Sequence, residues 1–202
     1  MPGASHLYQV RRWRSFVESD GRSRALVLPG AHYTADNPLL FLAATVLTEC
    51  GYEVWALDWT FTASTHTEAR EFVKHGADAL LRAANEDAAG SGAHYERTLV
   101  LTKSISSHAL PWAEEHGFPG VWLTPVLDHD AVAEAFREAQ LQHLTVGGSA
   151  DPHWKDDFTF PDGITSLEIP DANHSLQVPE DWRRTIESFE ITMGAIEQFA
   201  GA

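Results

Sequence analysis

Short apolar runs alternate along the chain with stretches of helical periodicity. The apolar runs are too short for helices and too continuous for half-exposed strands, so they predict strands buried on both faces. They lie at residues 25–28, 52–57, 98–102, 120–123, 144–146 and 164–169. Between them, apolar residues recur at spacings of three and four over residues 67–84, 130–139 and 182–200, which predicts amphipathic helices. Asn37-Pro38 predicts the start of a further helix, with Asn37 as N-cap, and Gly51 its end.

Strands that alternate with helices predict an α/β fold. Right-handed crossovers then give a three-layer α/β/α sandwich with a mostly parallel sheet. Residues 7–18, with a turn at Asp20-Gly21, predict one or two antiparallel edge strands, and residues 88–93 predict a loop. The length of 202 residues suits one domain, with edge strands over 1–24 and the α/β core over 25–202.

Charge and composition narrow the function. The chain has 14 Lys and Arg against 29 Asp and Glu, a net charge of −15, which argues against nucleic acid and anionic membranes as partners. Cys50 is the single cysteine, so no internal disulfide forms, and it is predicted to be a buried apolar filler. No secretion signal or membrane span is recognisable, and we expect a cytoplasmic protein. Nothing demands a metal or organic cofactor, and an exposed edge strand leaves a homodimer open.

Three chemically active residues directly follow predicted strands, where ligands bind in sheets of this kind. They are Ser104, Asp151 and His174. Ser104 lies in a strand-to-helix turn, the position of a nucleophile elbow, with a helix predicted from about Ser106. Thr102 and Ser106 stand where that motif has glycines, so the segment alone favours a helix-capping serine.

The three residues taken together decide between a nucleophile and a helix-capping serine at position 104. Asp151 alone is typical of a turn, and His174 is one of 11 histidines. The order Ser, Asp, His, each at a strand end, predicts a catalytic triad. A serine needs a base to remove its proton, neutral imidazole suits that role, and a carboxylate fixes the imidazole tautomer.

From residue 25 to the C-terminal helix, the chain resembles small, lidless α/β-hydrolases of the dienelactone-hydrolase-like and carboxylesterase-like kind. The motifs that carry the resemblance are Leu28-Pro29-Gly30-Ala31-His32, Thr102-Lys103-Ser104-Ile105-Ser106, Thr124-Pro125-Val126-Leu127, Val146-Gly147-Gly148-Ser149-Ala150-Asp151-Pro152 and Asn173-His174-Ser175-Leu176. The resemblance implies that Ser104 is the nucleophile, Asp151 the acid and His174 the base. It also implies an oxyanion hole formed by the backbone N–H groups of Ala31 and Ile105.

The implied reaction is acyl transfer to Ser104 followed by hydrolysis of a small ester or thioester. Only a few residues separate the strand at 121–123 from the helix near 130, so no cap domain fits and the cleft should be shallow. Five residues beside the strand ends are candidates for substrate contact: His32, Tyr33, Trp59, Pro125 and Trp154. The same scaffold could instead serve a lyase or acyltransferase, or a catalytically silent binding protein, for which Thr102 is the best argument.

Other residues are weaker candidates. Lys103-Ser104 after a strand is one feature of a phosphate-binding loop, but Arg97 and Thr102 replace its glycines, which excludes a nucleotide site. His108, one helical turn after Ser104, is expected to point away from the hydroxyl. Asp128-His129-Asp130 is predicted to start a helix. Alternative acids are Asp156, Asp157 and Asp171.

Overall fold

A computed structural model of the chain describes residues 7–14 and 17–201. The strands are β1 (Tyr8–Arg12), β2 (Ser23–Leu28), β3 (Glu53–Trp59), β4 (Arg97–Lys103), β5 (Gly120–Leu123), β6 (His143–Gly148) and β7 (Ile164–Ile169). The helices are α1 (Pro38–Glu49), α2 (His66–Ser91), α3 (Leu110–His116), α4 (Asp130–Glu138) and α5 (Trp182–Gly201), and a 3₁₀ helix (Ser104–Ala109) leads directly into α3.

The seven strands form one sheet in the order β1-β3-β2-β4-β5-β6-β7. β1 pairs antiparallel with β3, and every other pair is parallel. Helices α1 and α5 pack on one face of the sheet, and α2, α3 and α4 on the other. The predicted three-layer α/β/α sandwich is therefore confirmed. The chain passes from β2 outward to β3 and returns to β4 on the other side of β2, which creates the strand-order reversal beside which ligands bind.

The N-terminal segment contributes one antiparallel edge strand among the described residues, β1. Residues 1–6 and 15–16 of the predicted edge region lie outside the described part. β2 starts at Ser23, so the predicted boundary at residue 24 falls inside a central parallel strand. The reason is a tight turn: the Asp20 carboxylate accepts hydrogen bonds from the backbone N–H groups of Arg22 and Ser23, and the strand begins there.

Two strands run further than predicted. β3 continues through Asp58 and Trp59, which pair with β1 rather than following the strand as loop residues. β6 includes Gly147 and Gly148, predicted as loop, because other groups pack directly on them. A Cβ at Gly147 would lie 2.0 Å from the Trp154 ring, and one at Gly148 would lie 2.1 Å from the Ala172 carbonyl oxygen.

Helix α2 is also longer than predicted. Residues 88–91, predicted as loop, continue the helix because Ala88 is buried and alanine favours the helical backbone. Gly92 ends it with a φ of +76°, a left-handed conformation that glycine adopts without a steric penalty. Asn37 precedes α1 as predicted, but its side chain caps nothing in the helix and accepts hydrogen bonds from Thr34 instead. No helix in the described ranges has both the length and the apolar character needed to cross a bilayer.

Candidate active site

Ser104 is the first residue after β4 and has a φ of +58°. This left-handed backbone is uncommon for a residue with a side chain and costs on the order of 1 kcal/mol or more. The 3₁₀ helix starts at Ser104 itself, two residues earlier than the predicted helix, and the Ser107 hydroxyl donates to the Ser104 carbonyl at 2.7 Å. The chain thus makes the sharp strand-to-helix turn of an elbow although the usual glycines are absent.

The two residues that replace those glycines are both fully buried. The Ser106 hydroxyl donates to the Pro29 carbonyl and so joins the elbow to the loop after β2. The Thr102 hydroxyl has no hydrogen-bond partner within the described residues. Ser106 therefore adds a contact that glycine could not make, whereas the Thr102 hydroxyl is unpaired in the part of the chain that the structure describes.

Ser104, His174 and Asp151 form one continuous hydrogen-bonded chain. The His174 Nε2 lies 2.7 Å from the Ser104 Oγ, and the His174 Nδ1 lies 2.7 Å from the Asp151 Oδ2. The Asp151 carboxylate is inaccessible to solvent, while the His174 side chain is 29% exposed. Because a carboxylate only accepts hydrogen bonds, Nδ1 carries the proton and the Nε2 lone pair faces the serine hydroxyl. This arrangement can accept the serine proton.

Asp151 and the alternative acids differ in their partners. The second Asp151 oxygen accepts from the backbone N–H of His153 at 2.9 Å, which orients the carboxylate. Asp171 instead pairs with Arg184 at 3.0 Å on the surface, and Asp156 and Asp157 are exposed. Of these acids, Asp151 is the one hydrogen-bonded to His174.

The loop after β2 lies beside Ser104. A Cβ placed on Gly30 would be 3.7 Å from the Ser104 Cβ, and the Gly30 carbonyl accepts from the Trp59 indole N–H at 2.9 Å. The next N–H, that of Ala31, has no acceptor among the described residues. Ile105 lies in the first turn of the 3₁₀ helix, where N–H groups lack an intrahelical acceptor. The two predicted oxyanion donors thus lie on the elements that flank the serine, and within the described ranges no acceptor faces the Ala31 N–H.

The five predicted contact residues lie in different surroundings. His32 is exposed, Pro125 is buried, and Tyr33 is half-buried with its hydroxyl accepting from the Leu39 N–H at 2.9 Å. Trp59 packs against Phe61 and Phe72 while supporting Gly30. Trp154 is 7% exposed, packs on Gly147 and donates to Glu168 at 2.7 Å. The indole of Trp154 therefore packs among core residues, and its contact with substrate stays a prediction.

Lys103 is a site neighbour that the sequence reasoning missed. Its side chain is 1% exposed, and the ammonium donates to the His174 carbonyl at 2.8 Å and to the Thr124 hydroxyl at 3.0 Å. Burial lowers the pKa of Lys103 to about 8, and the nearby Asp151 charge opposes that shift. A lysine at the end of an otherwise apolar strand was the available signal, since lysine is rarely buried without partners.

His153 was also missed. Its ring lies edge-on to the His174 ring with centroids 4.8 Å apart, and its Nδ1 bonds to the Asp128 carboxylate at 2.9 Å. Asp128 therefore bonds to His153 and does not cap α4. The N-cap residue of α4 is His129, and Asp130 lies in its first turn as predicted.

His108 points away from Ser104, toward a second group of imidazoles. Its Nε2 lies 3.1 Å from the His129 Nδ1, and the His66 ring stacks on His129 at 3.7 Å. Burial, followed by the charges of His129 and His66, lowers the pKa of His108 to about 4.

Cys50, predicted to be buried, is half-buried at the end of α1.

Sequence comparison finds no matching family model, and no curated protein is similar in sequence. Solved structures are similar over nearly the whole chain. An α/β serine hydrolase homologue from Coxiella burnetii has 14% identity and a TM-score of 0.69, covering 96% of this chain and 94% of its own. A lidless α/β serine hydrolase from Xanthomonas campestris has 17% identity and a TM-score of 0.63, covering 95% and 86%.

Est1E from Butyrivibrio proteoclasticus, solved with ferulic acid bound, has 11% identity and a TM-score of 0.67, covering 95% of this chain and 93% of its own. At these identities the likeness concerns the fold. The chain has the α/β-hydrolase fold without a lid.

Proposed function

We propose that this chain, which has the lidless α/β-hydrolase fold, is a serine hydrolase that cleaves small carboxylic esters or thioesters through an acyl-enzyme on Ser104. The observation that carries the proposal is the hydrogen-bonded chain from Asp151 through His174 to Ser104, with both links at 2.7 Å. The positive φ of Ser104 supports it, because strained backbone of this kind concentrates at active sites.

The reaction follows from these atoms. His174 Nε2 takes the serine proton as Ser104 Oγ attacks the carbonyl carbon, and the new oxyanion faces the N–H groups of Ala31 and Ile105. Each such donor is worth about 10²–10³ in rate. His174 then gives its proton to the leaving alkoxide or thiolate. A water molecule, deprotonated by the same imidazole, releases the acid and restores Ser104.

The open site favours small acyl groups. Residues 124–129 alone connect β5 to α4, where a cap would be inserted, and nearly a third of the His174 side chain reaches solvent. Est1E binds ferulic acid in a similar fold, so a hydroxycinnamate ester belongs in the substrate panel beside simple alkyl esters.

A fluorophosphonate probe tests the proposal most directly, because it labels activated serines. The wild type should be labelled and should turn over p-nitrophenyl acetate and butyrate faster than the octanoate. Ser104→Ala should lose both properties, and Ser166→Ala, at an exposed serine of β7, should keep both. A folded wild type that neither labels nor turns over any ester or thioester would refute the proposal, as would full labelling of Ser104→Ala.

A further inference from the structure

Lys103 is a buried cation that the proposed reaction does not use. It is the last residue of β4, directly before Ser104, and its side chain is among the largest that are fully buried. Ion pairs between described residues do not include it, and Asp151 acts on it through space. Removing an ammonium from water without a contacting carboxylate is costly, and an apolar side chain would fill the same position without that cost.

The partners of the ammonium lie on three different loops at the carboxyl edge of the sheet. One is the backbone carbonyl of His174, in the loop after β7. The second is the hydroxyl of Thr124, which directly follows β5 and has a φ of +45°. The third is the ring of Tyr33, in the loop after β2, whose centre lies 4.7 Å from the Lys103 Nζ. Lys103, the last residue of the strand before the proposed nucleophile, thus holds the backbone of His174, the proposed base.

We propose that Lys103 is a positioning residue, whose ammonium fixes the backbone of His174 and so keeps the imidazole aligned between Asp151 and Ser104. The positioning itself is a property of the fold, whereas its effect on rate rests on the proposed function. Charged donors form stronger hydrogen bonds than neutral ones, so the hold on the His174 carbonyl weakens when Lys103 loses its proton.

Few titratable or charged groups among the described residues face Lys103 and His174. Asp151 acts on both Lys103 and His174, and the Tyr33 ring lies against the ammonium. On the outer side, His153 lies against the His174 ring and is bonded to Asp128. Burial lowers the pKa of Lys103 to about 8, so its charge changes in mildly alkaline solution, whereas burial raises the pKa of Tyr33.

The test compares Lys103→Met with Lys155→Met, an exposed lysine that carries the same charge. The nitrogen-15 shifts of the His174 ring report its tautomer independently of catalysis. The wild type and Lys155→Met should show protonated Nδ1 and unprotonated Nε2, whereas Lys103→Met should show averaged shifts. His143 is an internal control, because the Gly120 N–H and Glu114 fix its tautomer without Lys103. Labelling of Ser104 by the fluorophosphonate should slow by about 10- to 100-fold in Lys103→Met alone, with KM for p-nitrophenyl acetate nearly unchanged.

The wild type provides a second measurement that does not depend on the variant folding. Its His174 shifts should begin to average above about pH 8 while the His143 shifts stay constant. Unchanged His174 shifts in folded Lys103→Met, or unchanged wild-type shifts from pH 7 to 10 where the variant fails to fold, would overturn the proposal. If the shifts respond as expected but the wild type never reacts with the probe, positioning stands and the hydrolase function fails.

Discussion

Thr102→Val should stabilise this protein, which is unusual for a substitution in a fully buried strand. The side chain is inaccessible to solvent, and its hydroxyl has no partner in the described structure. Valine has the same shape and replaces that hydroxyl by a methyl group. The substitution therefore removes a buried, unpaired polar atom and leaves the packing volume of β4 almost unchanged.

The expected magnitude follows from the cost of that unpaired atom. An unsatisfied buried hydroxyl costs about 1–3 kcal/mol, so the free energy of unfolding should rise by about 1–2 kcal/mol. For a chain of this length, each kcal/mol corresponds to roughly 2–4 °C in Tm. Strand propensity adds little, because threonine and valine both favour the extended backbone.

Thr145→Val is the matched control. Thr145 is also fully buried in a strand of the same sheet, but its hydroxyl donates to the Trp122 carbonyl at 3.3 Å. That substitution should lower the free energy of unfolding by about 1 kcal/mol. Urea unfolding followed by circular dichroism measures both. If Thr102→Val destabilises as much as Thr145→Val with an unchanged m-value, the Thr102 hydroxyl has a partner and the reasoning is refuted.

Three further predictions concern the site and the core. Asp151→Asn should fold but lower kcat for p-nitrophenyl acetate by about 10³–10⁴, because an amide no longer holds the His174 tautomer. The pKa of His108 is lowered to about 4, so burying its neutral ring contributes a part of the stability that is fully present above the unfolded-state pKa of 6.5. This contribution is lost as the pH falls toward 4. The loss is on the order of 3 kcal/mol and is measured by urea unfolding at several pH values. Gly148→Ala should destabilise by several kcal/mol in thermal unfolding, since a Cβ there would lie 2.1 Å from the Ala172 carbonyl oxygen, whereas Gly90→Ala, in open space on α2, should stabilise by about 0.5–1 kcal/mol.

Each of these has a clear contrary outcome. Asp151→Asn with near wild-type kcat would mean that the carboxylate does not orient the base. His108→Phe should flatten the stability profile between pH 4 and 6.5, and an unchanged slope would assign the acid loss to other groups. A Gly148→Ala protein as stable as Gly90→Ala would show that β6 and the Ala172 loop can separate without cost.

The local pattern of hydrophobic and polar residues was sufficient to predict the architecture. Apolar runs and 3.6-residue periodicity report which faces are buried, and burial on both strand faces together with alternating helices leaves few topologies. The carboxyl ends of parallel strands meet at one sheet edge, so Ser104, Asp151 and His174 could be grouped although they are far apart along the chain. Element ends were less predictable, as β6 shows: its Gly147-Gly148 end resembles a loop in sequence and is a strand because Trp154 and Ala172 pack on it.

Side-chain partners were decided only by the tertiary structure. The sequence determined that a serine, an acid and a histidine follow strands in that order. Two side-chain contacts could not be predicted from it: the 2.8 Å hydrogen bond from Lys103 to the His174 carbonyl, 71 residues away, and the hydrogen bond from the Trp154 indole to Glu168. The physical reason is that periodicity encodes the direction of a side chain relative to its own element. Which atoms meet depends on strand register and loop conformation, and these are set by packing across the whole sheet.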